Sequence, residues 1–177
     1  MPAKASEKLR PMLDQIRETI FNVLGKKTDG SVVLDAFAGT GVLGLECLSR
    51  EARYAVFVEV HRPTAQRLHD VLRDWQLAEQ SKVVVGDFLR RGKAVLAHGP
   101  FDLIFIDPPY NHGLVNPALA AVKRFGLLAD EGVAIARYVK SEQVVVPEGM
   151  TQIDERKFGD AKVILITEDN DERVNHE

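Results

Sequence analysis

Strand-like and helix-like stretches alternate through the first two thirds of this chain, and that alternation limits the fold more than any single residue does. Apolar spacing at Leu13, Ile16, Ile20, Phe21 and Leu24 predicts a helix stopped by Gly25. Val32–Asp35 then reads as a short β-branched strand, followed by a Gly-rich turn and a helix to about Arg50. Residues 54–60 are strand-like, residues 63–75 helical, residues 82–85 and Phe101–Ile106 strand-like, and residues 117–125 helical. Such alternation implies parallel strands joined by crossover helices that cover both faces. After Gly132 the pattern changes: residues 132–139, 143–146, 151–158 and 162–167 all read as strands. Gly159-Asp160 between the last two is a tight hairpin signal. The expected fold is α/β and Rossmann-like, a mostly parallel sheet whose far edge ends in an antiparallel hairpin.

A length of 177 residues fits one domain, 1–177, with residues 1–30 as an N-terminal helical segment and residues 168–177 as an acidic, solvated tail. The net charge of −3 argues against a wholly nucleic-acid-binding surface. A polyanion would have to meet a local patch, and Lys4, Lys8, Arg10 and Arg17 are the candidates, although the first two read equally as a solvated N-terminus. A single cysteine, Cys47, excludes an intrachain disulfide and a multi-cysteine zinc site, and it reads as a small apolar residue packed on the sheet. His61, His69, His98, His112 and His176 show no ligand spacing, so no metal is expected. Trp75 reads as a packing residue at a helix end. No apolar run approaches the length of a bilayer span, and the first ten residues hold no apolar leader core, so the expected compartment is the cytoplasm, with no membrane partner.

Gly39-Thr40-Gly41-Val42-Leu43-Gly44 matches G-x-G-x-x-G between a predicted strand and a predicted helix. Glycines there let a backbone approach a ligand, and they equally suit a tight strand-to-helix turn with nothing bound. Two acids go against a nicotinamide dinucleotide. Asp35, four residues before Gly39, would repel a pyrophosphate but attract an ammonium. Asp87, after the third strand, suits an adenine amino group better than a phosphate. Glu59 ends the second strand 18 residues past Gly41, where an acid typically takes ribose hydroxyls. Parallel strands align their carboxyl ends, so Asp35, Glu59, Asp87 and Asp107 should line one rim. Each acid alone reads equally as a strand-end cap. Together they fit a ligand with an ammonium, a ribose and an adenine but no phosphates, such as S-adenosylmethionine.

The apolar run Phe101–Ile106 stops at Asp107-Pro108-Pro109-Tyr110. The prolines stiffen the turn and give up their N–H groups, Asp107 offers acceptors, and Tyr110 offers a ring face. The four together suit a clamp on a planar –NH2, and a stiff strand-ending turn is the plainer alternative. Accepting both N–H bonds, at Asp107 and the Pro108 carbonyl, would favour pyramidalisation of an aromatic amine and localise its lone pair, with Tyr110 stacking on a splayed-out base.

On these residues the sequence resembles the class I methyltransferases and, within them, the RsmD family of small-subunit ribosomal RNA guanine-N2 methyltransferases. The resemblance rests on Leu9-Arg10-Pro11, on Ile16-Arg17-Glu18-Thr19-Ile20-Phe21-Asn22, on the stretch from Leu34 through the glycine motif to Arg50, on Asp107-Pro108-Pro109-Tyr110 and on Arg156-Lys157-Phe158-Gly159-Asp160. It implies a seven-stranded sheet and an N-terminal helix near the active-site mouth. It implies that Asp35, Phe37, Ala38, Gly39, Thr40, Gly41, Gly44 and Glu59 hold S-adenosylmethionine and that Asp87 and Phe88 flank its adenine. Asp107, Pro108, Pro109 and Tyr110 would hold the target base, with Arg10 and Arg17 near the active-site mouth; apart from the resemblance, His112 is a candidate for touching substrate because it lies two residues past Tyr110. The implied partner is ribosomal RNA or a small-subunit assembly particle, met by a monomer. Three features depart from the family. The basic hairpin usual ahead of Leu-Arg-Pro is expected to be missing, since only eight residues precede Leu9; Met12 follows Arg10-Pro11 where the family has Thr; and an acid usual in the fifth strand is replaced around Arg137 to Lys140. Adenine-N6 and protein amide methylation, which use related Pro-Pro-Tyr turns, and a catalytically silent cofactor-binding module remain open readings.

Overall fold

The computed structural model describes residues 3–110 and 112–169, and of residues 3–12 only the backbone. Of the expected acidic tail, only Glu168 and Asp169 therefore fall within the described residues.

The elements are α1 (Ala3–Leu24), a 3-10 turn, β1 (Val32–Asp35), α2 (Val42–Ser49), β2 (Tyr54–Glu59), α3 (Arg62–Asp74), a second 3-10 turn, β3 (Ser81–Val85), α4 (Phe88–Leu96), β4 (Phe101–Ile106), α5 (Val115–Phe125), β5 (Leu128–Val139), β6 (Met150–Phe158) and β7 (Ala161–Glu168). Seven strands form one sheet in the order β3-β2-β1-β4-β5-β7-β6. Strands β3, β2, β1, β4 and β5 are mutually parallel, and β7 runs antiparallel between β5 and β6. The expected Rossmann-like sheet with a reversed terminal hairpin is the fold observed.

Central strands buried on both faces need apolar residues at nearly every position, and β1 and β4 supply them apart from Asp35 at the end of β1 and Asp102 in β4, whose Oδ2 accepts from the Val32 N–H at 2.7 Å. Alternate residues divide the core in two. Leu34, Ile104, Ile106, Ala134 and Ala136 face α4 and α5, while Val33, Leu103, Phe105, Val133 and Ile135 face α1, α2 and α3. Each fully buried Phe or Leu contributes on the order of 1.5–3 kcal/mol. Pro63 sits in the first turn of α3, Asp87 caps α4 by accepting from the Leu89 N–H at 3.0 Å, and Gly126 closes α5 in the left-handed conformation at φ 58°.

Three local details differ from the expectations. Residues 143–146 are not a strand: Val144 and Val146 pack on the core, but the Asn116 side chain of α5 takes the backbone bonds, donating to the Gln143 carbonyl and accepting from the Val145 N–H, both at 2.8 Å. No element was expected at 88–96, where α4 lies. Trp75, the cap residue of α3, is 63% exposed instead of packed.

Candidate active site

Strand register places three carboxylates on the face covered by α1. Asp35, the last residue of β1, pairs with Phe57 on β2 and with Phe105 on β4. Glu59 and Asp107 each lie two residues further along those flanking strands, about 7 Å on and on the same side of the pleat. Asp35 therefore sits between two acids.

The turn after β1 is held from behind. The Ala38 N–H donates to the Val58 carbonyl at 2.9 Å, and the Gly39 N–H donates to Glu59 Oε2 at 2.7 Å. Glu59 Oε1 accepts from the His61 N–H at 2.7 Å, so this carboxylate braces the glycine turn and keeps only spare lone pairs for a ligand. The three motif glycines divide by role. A Cβ on Gly44 would lie 2.3 Å from the Phe57 ring and one on Gly41 2.5 Å from Leu68, so these two let α2 pack on β2 and α3. Gly39, at φ 55°, has nothing within 4 Å of its missing Cβ and borders open space.

Asp35 is 1% exposed. Its Oδ2 accepts from the Gly44 N–H in the first turn of α2 at 3.2 Å, and its Oδ1 has no partner. The helix N-terminus that would receive a pyrophosphate is thus occupied by the protein's own carboxylate. Burial pushes the Asp35 carboxyl up to about 7; the Gly44 N–H pulls it down, and the charges of Asp107 and Glu59 raise it further.

Asp35 and Asp107 open onto one cavity of about 370 Å³. Phe37, Ala38, Gly39 and Thr40 form one side of it, and Leu13, Ile16, Arg17 and Ile20 of α1 form the roof. Arg17 pairs with Asp14 at 3.1 Å. The Arg10 side chain, like those of Lys4 and Lys8, lies outside the described residues. Among the other candidates, Gly41, Gly44, Glu59, Asp87, Phe88, Pro108, Pro109, Tyr110 and His112 are not on the cavity wall. Phe88 is 2% exposed and meets Phe37 edge-on, with ring centroids 5.9 Å apart. Pro108 is buried, Pro109 and His112 are exposed, and Asp87 is engaged as the α4 cap. Cys47 is fully buried; desolvation, added to by Asp35 and Glu46, pushes its thiol far up and leaves it unreactive.

One wall residue, Arg137, stands in the sequence only as a departure from the family pattern. Arg137 follows Val133 and Ile135 on the α1 side of β5, and the register Ile106↔Ala136 places it next to Asp107. Its Nε donates to Asp107 Oδ1 at 2.6 Å, Nη1 donates to the Tyr110 hydroxyl, and the guanidinium carbon lies 4.8 Å from the Tyr110 ring centroid. Burial raises the Tyr110 phenol, as does Asp107, while Arg137 opposes them. A charged residue breaking the apolar alternation of a strand interior was the available signal.

Among the described residues no group of three or more acidic, His or Cys side chains is placed to hold a metal, and no helix is long and apolar enough to cross a membrane.

A sheet ordered 3-2-1-4-5-7-6, with acids at its strand ends around one cavity, is the fold of the class I methyltransferases. The family described as Conserved hypothetical protein 95 matches residues 1–167, and this chain belongs to it. Ribosomal RNA small subunit methyltransferase D from Haemophilus influenzae is 31% identical over 163 residues, covering 90% of this chain and 83% of that protein. The protein of the same name from Escherichia coli strain K12 is 37% identical over 144 residues, covering 80% and 69%. A solved Escherichia coli structure provisionally described as a methyltransferase superposes with a TM-score of 0.78 at 30% identity, covering 88% of this chain and 84% of that one. The resemblance read from the sequence is therefore a family membership.

Proposed function

We propose that this chain transfers the methyl group of S-adenosylmethionine to an exocyclic amine of RNA, namely guanine N2 of small-subunit ribosomal RNA. The observation that carries this reading is the single cavity joining the partnerless Asp35 oxygen to the Asp107 carboxylate. The names of the relatives, ribosomal RNA methyltransferases, support the RNA substrate.

The residues present fit the cofactor. A buried carboxylate with one oxygen unsatisfied is unfavourable until a donor arrives, and an amino-acid ammonium supplies one. Gly39 leaves that end of the cavity open, Glu59 retains lone pairs for ribose hydroxyls, and about 370 Å³ falls within the usual span of ligand sites. When bound, the cofactor supplies an electrophilic methyl group on a sulfonium. The chain's own residues do the rest. Asp107 and the Pro108 carbonyl accept the two N–H bonds of the amine, turn its lone pair out of conjugation and aim it along the cavity. Leu13, Ile16 and Ile20 of α1 exclude water above, so the electrostatic contribution of Asp107 acts in a low-dielectric space. Tyr110 braces Arg137 through its hydroxyl and ring, and a base reaching past the cavity lining would stack on that ring.

The test is incubation with methyl-labelled S-adenosylmethionine and, separately, total RNA, DNA and protein. Label in RNA alone is expected. Label in DNA or protein, or in none of the three, would overturn the assignment.

A further inference from the structure

The wall that faces the substrate amine carries an acceptor and a set of donors side by side. Asp107 Oδ1 is taken by Arg137, and its Oδ2 has no protein donor among the described residues. A guanidinium has five N–H groups. In Arg137 one goes to Asp107 and one to Tyr110, and the others have no protein partner among the described residues. Both side chains are about four-fifths buried, at 16% and 24% exposure, and both border the cavity. Their relative position is fixed by strand register and by the Tyr110 contact, so the pair is a preformed acceptor–donor edge.

We infer that Arg137 determines specificity by selecting an exocyclic amine flanked by a ring-nitrogen acceptor, and that it fixes which edge of the base enters. The inference rests on the function proposed above. In guanine the 2-amino group has a donor, N1–H, on one side and an acceptor, N3, on the other. An N1–H facing the guanidinium would bring two donors together and leave its remaining buried N–H groups without an acceptor. The base must therefore enter with N3 toward Arg137. One amine N–H then reaches Asp107, and the other, on the N1 side, reaches the Pro108 carbonyl. An acidic side chain in place of Arg137 would favour the opposite presentation, in which N1–H is read. Tyr110 is a positioning residue here, holding the guanidinium plane through its hydroxyl and its ring.

The order of binding of three nucleosides to the full chain, saturated with S-adenosylhomocysteine, tests this. The fluorescent probe is 2-aminopurine riboside, which lacks N1–H and O6 but keeps the 2-amino group and N3. Guanosine and 3-deazaguanosine, which lacks the N3 acceptor, compete with it. The expected order is 2-aminopurine riboside and guanosine within about threefold of one another, with 3-deazaguanosine at least tenfold weaker. In Arg137→Met, which keeps bulk but cannot donate, the penalty on 3-deazaguanosine should shrink to less than threefold. If that variant does not fold, the wild-type order decides alone. Equal binding of guanosine and 3-deazaguanosine with weak binding of the probe would overturn the inference, as would no displacement by any nucleoside. Failure here with methyl still entering guanine N2 of RNA would leave the proposed function standing. The expected order with no methyl entering RNA would do the reverse.

Discussion

Arg137 stands directly across the β4–β5 pair from Asp107, its Nε 2.6 Å from Oδ1, so the candidate amine-binding carboxylate is already held by a cation on the neighbouring strand. Removing one partner of a largely buried pair leaves the other uncompensated. Arg137→Glu, which also sets two carboxylates side by side, should lower the urea midpoint by the equivalent of about 2 kcal/mol with an unchanged m-value. Arg137→Lys keeps the charge but loses the planar fork and should cost under about 1 kcal/mol.

Asp107→Ala should reduce methyl transfer by on the order of a thousandfold, because the acceptor that localises the amine lone pair is gone. Calorimetry should find S-adenosylmethionine affinity within a few-fold of wild type, since Asp35, Gly39 and Glu59 are untouched. Lost cofactor binding with retained turnover would reverse the roles given to the two acids.

Asp35 makes the ligand-free protein pH-dependent. Its folded value, about 7, exceeds the ordinary 3.8, so the native state keeps a proton that the unfolded chain has lost between those limits. Its contribution to stability is full below about pH 4 and is lost as the pH rises through about 7, at no more than about 1.4 kcal/mol per unit. Asp35→Asn should flatten this slope in urea titrations at a series of pH values. It should also be more stable than wild type by about 1–3 kcal/mol at pH 8, where the buried charge is removed.

The same proton links pH to ligand binding. An ammonium favours ionised Asp35, so S-adenosylmethionine affinity should rise from pH 6 to pH 8 and a proton should be released on binding near neutrality. Calorimetry at pH 7 in two buffers of different ionisation enthalpy measures that release. Equal apparent enthalpies would place the ammonium elsewhere.

The motif glycines should separate in mutagenesis. Gly44→Ala puts a methyl 2.3 Å from Phe57 and should destabilise the fold by about 2–4 kcal/mol. Gly39→Ala meets no atom within 4 Å and should cost about 1–2 kcal/mol through its positive φ alone, with its larger effect on cofactor affinity. Thermal unfolding and calorimetry on both variants distinguish the two roles.

The sheet was legible because its central strands are buried on both faces and read as mostly apolar runs, broken in β4 only by Asp102, while Gly159-Asp160 marks the reversal. Helix α4 was not, because Gly92 interrupts it. A Cβ there would lie 2.2 Å from Phe125, so the glycine serves close packing of α4 on α5 against its own helix propensity. Residues 143–146 carry a β-branched run like a strand, yet their backbone partners come from Asn116, a contact that no local pattern announces. The acids at the strand ends could be placed on one rim from topology alone. Which of them were braces and which were open could not, since Glu59 is engaged by the Gly39 and His61 N–H groups and Asp87 by that of Leu89. The contact between Arg137 and Asp107 spans 30 residues and depends on a β4–β5 register that shifts between Phe101 and Leu103.

The most direct measurement is mass spectrometry of the nucleosides released from small-subunit ribosomal RNA after incubation with the protein and S-adenosylmethionine. N2-methylguanosine is expected, and it should be absent when Asp107→Ala replaces the wild type. Methyl on adenine N6 or cytosine N4, or no new methylated nucleoside in naked RNA or assembled particles, would contradict it.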